Sequence, residues 1–231
     1  MNETETETRP GPDRPFTIID ISQPVNSRTA CFPGDTPFQR AVTLTVRDSG
    51  VVNLTSMTMS PHVGTHADAP VHIEGDLEEG RGVIGSLSLE PFLGPVRIVD
   101  LAPFSAGIEP EHYQESLDSG DKVSRVLFRT CHRIRYEVFE SEYAYISVAA
   151  AEDLVARGIV LVGLDTPSVD HIDSKSLESH HVLNRGGMVW LENLDLTSVK
   201  AGDYYLVALP LKLEELEASP VRAVLLTEAK K

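Results

Sequence analysis

Basic side chains are scarce in this sequence: 20 Lys and Arg stand against 35 Asp and Glu over 231 residues, a formal net charge of -15 at pH 7. No stretch gathers Lys and Arg into a compensating patch, so phosphate backbones and anionic lipid are excluded as natural partners on electrostatic grounds. Cysteine is scarcer still. Cys31 and Cys131 are the only two, far apart and in no CxxC spacing, which excludes a disulfide framework and a thiolate zinc site and fits a reducing cytoplasm. No apolar run approaches the roughly 20 residues that span a bilayer. The N-terminus opens on Asn2, Glu3, Thr4 and Glu5, not on a basic and then apolar leader, so the chain is expected to remain in the cytoplasm.

What is present is enough for one sizeable core, since 41% of the residues are apolar and the length suits a single α/β domain. Residues 1–15 mix Thr, Glu, Pro and Gly with little to bury, and a disordered acidic tail is expected there, with the domain over residues 16–231. The run Phe16 to Ile21 reads as a strand, and Pro33, Gly34 and Asp35 mark a turn or loop. β-Branched runs at Val96–Leu101, Val126–Phe128, Ile159–Leu164 and Tyr204–Leu209, bounded by Gly, Pro or Asp, read as buried strands. Ser147 is placed to cap a helix through Ala149, Ala150, Ala151, Leu154 and Val155, with Gly158 to end it. A helical turn around Leu177–Val182 is broken by Gly186 and Gly187 before a strand over Met188–Leu191. The pattern predicts a mixed β-sheet with flanking helices, in one α/β domain.

The chemistry concentrates between Ser60 and His72, which holds three of the chain's eight His. His62 and His66 stand four apart, but Pro61, Val63, Gly64, Thr65 and Pro70 argue against a helix. In an extended chain His66, Asp68 and His72 project to one side, and a bend at Gly64 brings His62 to the same point. Imidazoles with a carboxylate form a borderline-hard N/O donor set suited to Zn or Mn. Single surface His residues are common, but three with an Asp on so short a loop point to a metal. Downstream, His180, His181, Glu192 and Asn193 form a weaker group. Adjacent His180 and His181 must diverge, so at most one of them meets the metal. Alone, Glu192 reads as a solvated carboxylate at a strand end.

The signature His-x-Gly-Thr-His-x-Asp-Ala-Pro-x-His over His62–His72 resembles that of the cyclase family of metal-dependent hydrolases. Asp20-Ile-Ser-Gln-Pro, Phe32-Pro-Gly-Asp-Thr-Pro-Phe38, Leu164-Asp-Thr-Pro-Ser-Val-Asp170, Asp173-Ser-Lys-Ser-Leu177, Ala208-Leu-Pro-Leu-Lys212 and Ser219-Pro-Val-Arg-Ala-Val224 extend the resemblance to its arylformamidase branch over nearly everything after the tail. The resemblance implies a swivelling β/β/α domain, a homodimer, and a pair of zinc ions, with manganese an alternative. It implies that His62, His66 and Asp68 bind the first ion and that Asp68, His180 and Glu192 bind the second, with Glu192 also shared. His72 would be the acid/base. The implied reaction is hydrolysis of the aryl formamide N-formylkynurenine to kynurenine and formate; another aryl or cyclic amide, or a lactone, isatin for instance, is the alternative. Phe32 stands where the family commonly has Trp and would line the substrate pocket, keeping a flat ring but no N–H donor. Thr65 stands where the arylformamidases often have Ala.

Overall fold

Val126, Leu127 and Phe128 show how the molecule is layered: Leu127 belongs to one buried apolar cluster, and its two neighbours belong to another on the opposite side. Strand side chains alternate, so a sheet covered on both faces produces continuous apolar runs of this kind. The same switch occurs at Leu161 and Val162, and at Trp190 between Val189 and Leu191. Burying one such Leu or Phe is worth about 1.5–3 kcal/mol relative to leaving it exposed.

The computed structural model describes residues 16–228; the acidic tail expected over residues 1–15 lies outside them. The main sheet has nine strands: β1 (Phe16–Asp20), β2 (His66–Asp68), β3 (Leu93–Asp100), β4 (Arg125–Arg129), β5 (Leu161–Leu164), β6 (Val189–Glu192), β7 (Gly202–Val207), β8 (Ala218–Pro220) and β9 (Val224–Glu228). Their spatial order is β1-β9-β7-β3-β4-β5-β6-β2-β8. The central β3, β4, β5 and β6 run parallel, and the strands to either side pair antiparallel. The sheet is mixed, as expected. The carboxyl ends of β4, β5 and β6 lie side by side, which in an open α/β sheet is where a crevice forms.

Helix α1 (Val148–Ala156) begins where Ser147 Oγ accepts the Ala150 N–H at 3.0 Å. It ends before Gly158, at φ +76, a conformation that costs other residues about 1–2 kcal/mol. Ala150, Ala151 and Leu154 form its buried face. Helix α2 (Glu178–Arg185) runs beyond the single turn expected from sequence, to Gly186 and Gly187. Both helices cover the side of the sheet that carries Phe128 and Trp190.

Other elements depart from expectation. Two strands, Gln39–Leu44 and Leu54–Thr58, pair as a separate antiparallel hairpin, largely exposed on both faces and therefore without an apolar period. The short edge strand β8 and the C-terminal β9 were not anticipated either. Among the described residues no helix is long and apolar enough to cross a membrane.

Candidate metal centre

Register builds the first part of the site. β2 lies antiparallel to β6 with Glu192 opposite His66 and Leu191 opposite Ala67, so one step further along Trp190 faces Asp68. Directly opposed residues share a face. His66, Asp68, Glu192 and Trp190 thus all project to the same side, and Ala67 and Leu191 enter the core behind them. The bend at Gly64 has φ +73 and carries the chain from His62 into β2. His72 is not on the extended continuation of that strand: Pro70, Val71 and His72 form a 3-10 turn, consistent with the fixed φ of Pro at the first helical position. The turn still delivers His72 to the cluster, with its ring centroid 4.5 Å from that of His62. α2 contributes His180, while the adjacent His181 is not among the residues that line the cavity.

The donors converge closely. His62 Nδ1 lies 3.1 Å and His66 Nε2 3.4 Å from Asp68 Oδ1. His66 Nε2 is 3.3 Å from Glu192 Oε2. His180 Nε2 is 3.7 Å from Asp68 Oδ2 and 3.6 Å from Glu192 Oε1. By mutual proximity within 4.8 Å the donors group as His62, Asp68 and His72, and as His66, Asp68 and Glu192. This division differs from the one implied by resemblance, but Asp68 is common to both sets in either scheme.

Two ligand tautomers follow from hydrogen bonding. His66 Nδ1 is 2.9 Å from the Gly64 carbonyl, which can only accept, so Nδ1 carries the proton and Nε2 turns a lone pair inward. His180 Nδ1 is 2.6 Å from Asp170 Oδ2, the carboxylate–imidazole pairing that orients a metal ligand. Trp190 Nε1 donates to Asp68 Oδ2 at 2.9 Å, and the Val169 N–H donates to Glu192 Oε1 at 2.8 Å. Buried His66 Nε2 and Asp68 Oδ1 are left with no hydrogen-bond partner. Burial of unsatisfied polar atoms is costly, and a cation between these two atoms satisfies both.

Electrostatics point the same way. Burial opposes charge on His62 and His180, yet the carboxylates of Asp68 and Glu217 around the first, and of Asp170 and Asp68 around the second, outweigh it and push both up to about 10. Burial likewise works against the Asp68 carboxylate, but His180 and His62 hold it well below the usual range. The carboxylates here call for positive charge, which protons or a divalent cation can supply. At His72, desolvation lowers the pKa against the pull of Asp68.

The cluster opens into a cavity of about 880 Å³. Phe32 lines it at 39% exposure, its ring meeting Phe139 edge-on at 5.2 Å. Thr65 has a tethering role: its hydroxyl accepts from Gln23 N at 2.8 Å and donates to the Asn193 carbonyl at 2.5 Å. Leu177 and Asn193, the non-glycine residues at positive φ among those described, both line the cavity, where backbone strain tends to collect at functional sites. Sequence reasoning missed Asp170, Trp190, Glu217 and Phe139 as members of the site. Asp170 ends the quoted segment Leu164–Asp170 and Trp190 lies within the expected strand Met188–Leu191, but nothing in the sequence marked Glu217, which reaches His62 Nε2 at 3.3 Å.

Sheet and cluster define a metal-dependent hydrolase of cyclase type. The family model Cyclase, described as "Putative cyclase", matches residues 19–171, and this chain belongs to that family. Over 208 residues it is 43% identical to the kynurenine formamidase of Bordetella petrii, covering 90% of this chain and 97% of that one. It is 43% identical over 217 residues to the kynurenine formamidase of Paracidovorax citrulli, covering 93% and 99%. Among solved structures, a "predicted metal-dependent hydrolase" from Bacillus stearothermophilus superposes with TM-score 0.74 at 27% identity, over 91% of this chain and 98% of that one. An isatin hydrolase bound to the product analogue thioisatinate superposes with TM-score 0.80 at 20% identity, over 93% and 94%, a likeness of fold alone.

Proposed function

We propose that this protein is an arylformamidase that hydrolyses N-formylkynurenine to kynurenine and formate, using a pair of zinc ions, or manganese in their place. The observation that carries the reading is the pair of unpartnered buried atoms, His66 Nε2 and Asp68 Oδ1, in a donor cluster whose His62, His66, His72 and Glu192 line a cavity shared with Phe32 and Phe139. The substrate follows from the formamidase relatives, which match almost end to end; the isatin hydrolases offer weaker support for a cyclic amide. His62, His66 and Asp68 would hold one ion, and Asp68, His180 and Glu192 the other, with Asp68 and Glu192 shared. A bound divalent ion supplies water of lowered pKa and polarisation of the formyl carbonyl.

The chain's own residues handle position and protons. Asp170 and Gly64 keep the His180 and His66 rings turned inward. An aniline nitrogen leaves poorly as an anion and needs a proton as its bond to the formyl carbon breaks. His72 makes no side-chain hydrogen bond among the described residues and lines the cavity. One of its imidazole nitrogens is therefore free to take a proton from water and give it to that nitrogen. Phe32 packs against the aryl ring. The working assembly is proposed to be a cytoplasmic homodimer.

The test is a formamidase assay on purified protein before and after chelation, with readdition of Zn and Mn. Activity that disappears with the metal and returns with it is the expected result. Full activity in metal-free protein, or none on any aryl formamide with metal bound, rejects the reading.

A further inference from the structure

One wall of the cavity is supplied by residues 130–144, between β4 and the short strand Tyr145–Ile146. Its root is pinned. The Asp165 carboxylate, at the end of β5, accepts from Thr130 N at 2.8 Å, from Thr130 Oγ1 at 2.6 Å and from Cys131 N at 3.2 Å. Near its other end the Tyr143 hydroxyl donates to the Asp170 carbonyl at 3.1 Å. Between these anchors Arg135 is tied to Glu140 within the segment, Nε to Oε1 at 2.8 Å.

Charge along that wall is unevenly satisfied. Of the two arginines that line the cavity, Arg135 is paired, and the Arg133 side chain has no ion-pair or hydrogen-bond partner among the described residues. Of the carboxylates that line it, Asp35 takes Ser60, Glu140 takes Arg135, Asp165 takes Thr130, Glu192 takes Val169 and Glu217 takes His62. Glu142 alone has no partner among the described residues. Both Arg133 and Glu142 are exposed.

We infer that Arg133 and Glu142 form a subsite for an α-amino acid zwitterion, the guanidinium taking the carboxylate and the Glu142 carboxylate taking the ammonium group. The inference rests on the arylformamidase reading and assigns to two named residues the recognition of the amino acid that its substrate carries. In a chain of net charge -15, whose reaction centre is itself rich in carboxylates, the carboxylate end of a zwitterionic substrate is repelled unless a local cation receives it. Guanidinium is suited to this, because its planar fork matches a carboxylate in two parallel hydrogen bonds. Phe32 and Phe139 take the ring, and the amino acid stays at the wetter rim.

The experiment compares two substrates that share the formamide, ring and ketone: N-formylkynurenine and ortho-formamidoacetophenone, which lacks the amino acid. Wild type is expected to favour N-formylkynurenine in kcat/KM. Arg133→Gln should lower the ratio of the two kcat/KM values by roughly 10- to 100-fold, the range of a hydrogen bond to a charged group, mainly through KM. Arg133→Lys should recover part of the loss, and Glu142→Gln should shift the ratio in the same direction by less. A ratio unchanged in Arg133→Gln overturns the inference and leaves the formamidase reading standing. A second arm needs no turnover: calorimetric binding of kynurenine and of ortho-aminoacetophenone. If wild type hydrolyses neither substrate but kynurenine binding weakens in Arg133→Gln, the function fails and the subsite survives; equal binding of both compounds by wild type and variant removes the subsite.

Discussion

The Trp190 indole donates to Asp68 Oδ2 at 2.9 Å while its ring stands nearly perpendicular to that of His180, with centroids 5.3 Å apart. The chain's single Trp thereby touches two of the proposed ligands. It orients a carboxylate common to both donor sets and leaves Oδ1 free to face His62 and His66. Trp190→Phe keeps an aromatic body but loses the donor, so divalent-metal affinity is expected to fall about 10- to 100-fold, as for other outer partners of metal ligands. Competition against a chelator of known affinity measures it. Undiminished affinity would show that Asp68 needs no help from the indole.

Asp170 supports a different ligand, His180. Besides accepting from His180 Nδ1, its carboxylate accepts the backbone N–H groups of Ser179 at 3.1 Å and His180 at 3.0 Å, so it fixes both the start of α2 and the ring that α2 presents. Asp170→Asn keeps the shape and removes the charge that raises the basicity of the imidazole. Metal at the His180 position should weaken by about 10-fold or more, with the fold retained. Elemental analysis after graded dialysis, beside circular dichroism, separates loss of metal from loss of structure.

Legibility from sequence followed distance along the chain. His62, His66, Asp68 and His72 fall within eleven residues, so one stretch of text holds most of the donors. The four central strands were legible because both their faces are buried and the apolar run is unbroken. The hairpin at residues 39–58 was not, since Val42, Leu54 and Met57 stand exposed beside Thr and Ser and give no alternation to read. His72 was placed correctly beside the cluster for an incorrect local reason: a Pro-initiated turn carries it there, where an extended strand was expected. Glu217 could not be read at all, because only the pairing of β8 with β2 brings it to His62.

His72→Ala tests the division of labour within the cluster. If His72 moves the proton, the variant keeps its metal content and loses a factor of about 10² to 10⁴ in kcat, typical for a general acid/base. Loss of metal together with activity would make His72 a ligand, as its proximity to His62 and Asp68 allows.

Asp68→Ala is expected to behave in the opposite way. Removing the carboxylate that lies in both donor sets should lower metal stoichiometry outright, because binding depends on the number of deprotonated donors. Unchanged metal content would refute the central place given to Asp68.

Gly64 separates the two His residues that begin the signature, and its backbone is the means by which they meet. At φ +73 it sits in the left-handed region, and a Cβ there would lie 2.6 Å from Val25 Cγ2. Gly64→Ala therefore carries two penalties, a conformational one of about 1–2 kcal/mol and a steric one that Val25 must yield to relieve. For a domain of this size, each 1 kcal/mol lost lowers Tm by about 2–4 °C. Pairing the variant with Val25→Ala removes the clash and leaves the backbone cost, so part of the Tm loss should return in the double variant after correction for Val25→Ala alone. Metal affinity should stay reduced in both, because relief at Val25 does not restore the bend that aims His62 and His66 at Asp68. A double variant with wild-type affinity would mean that steric relief suffices and that the left-handed turn is dispensable to the site.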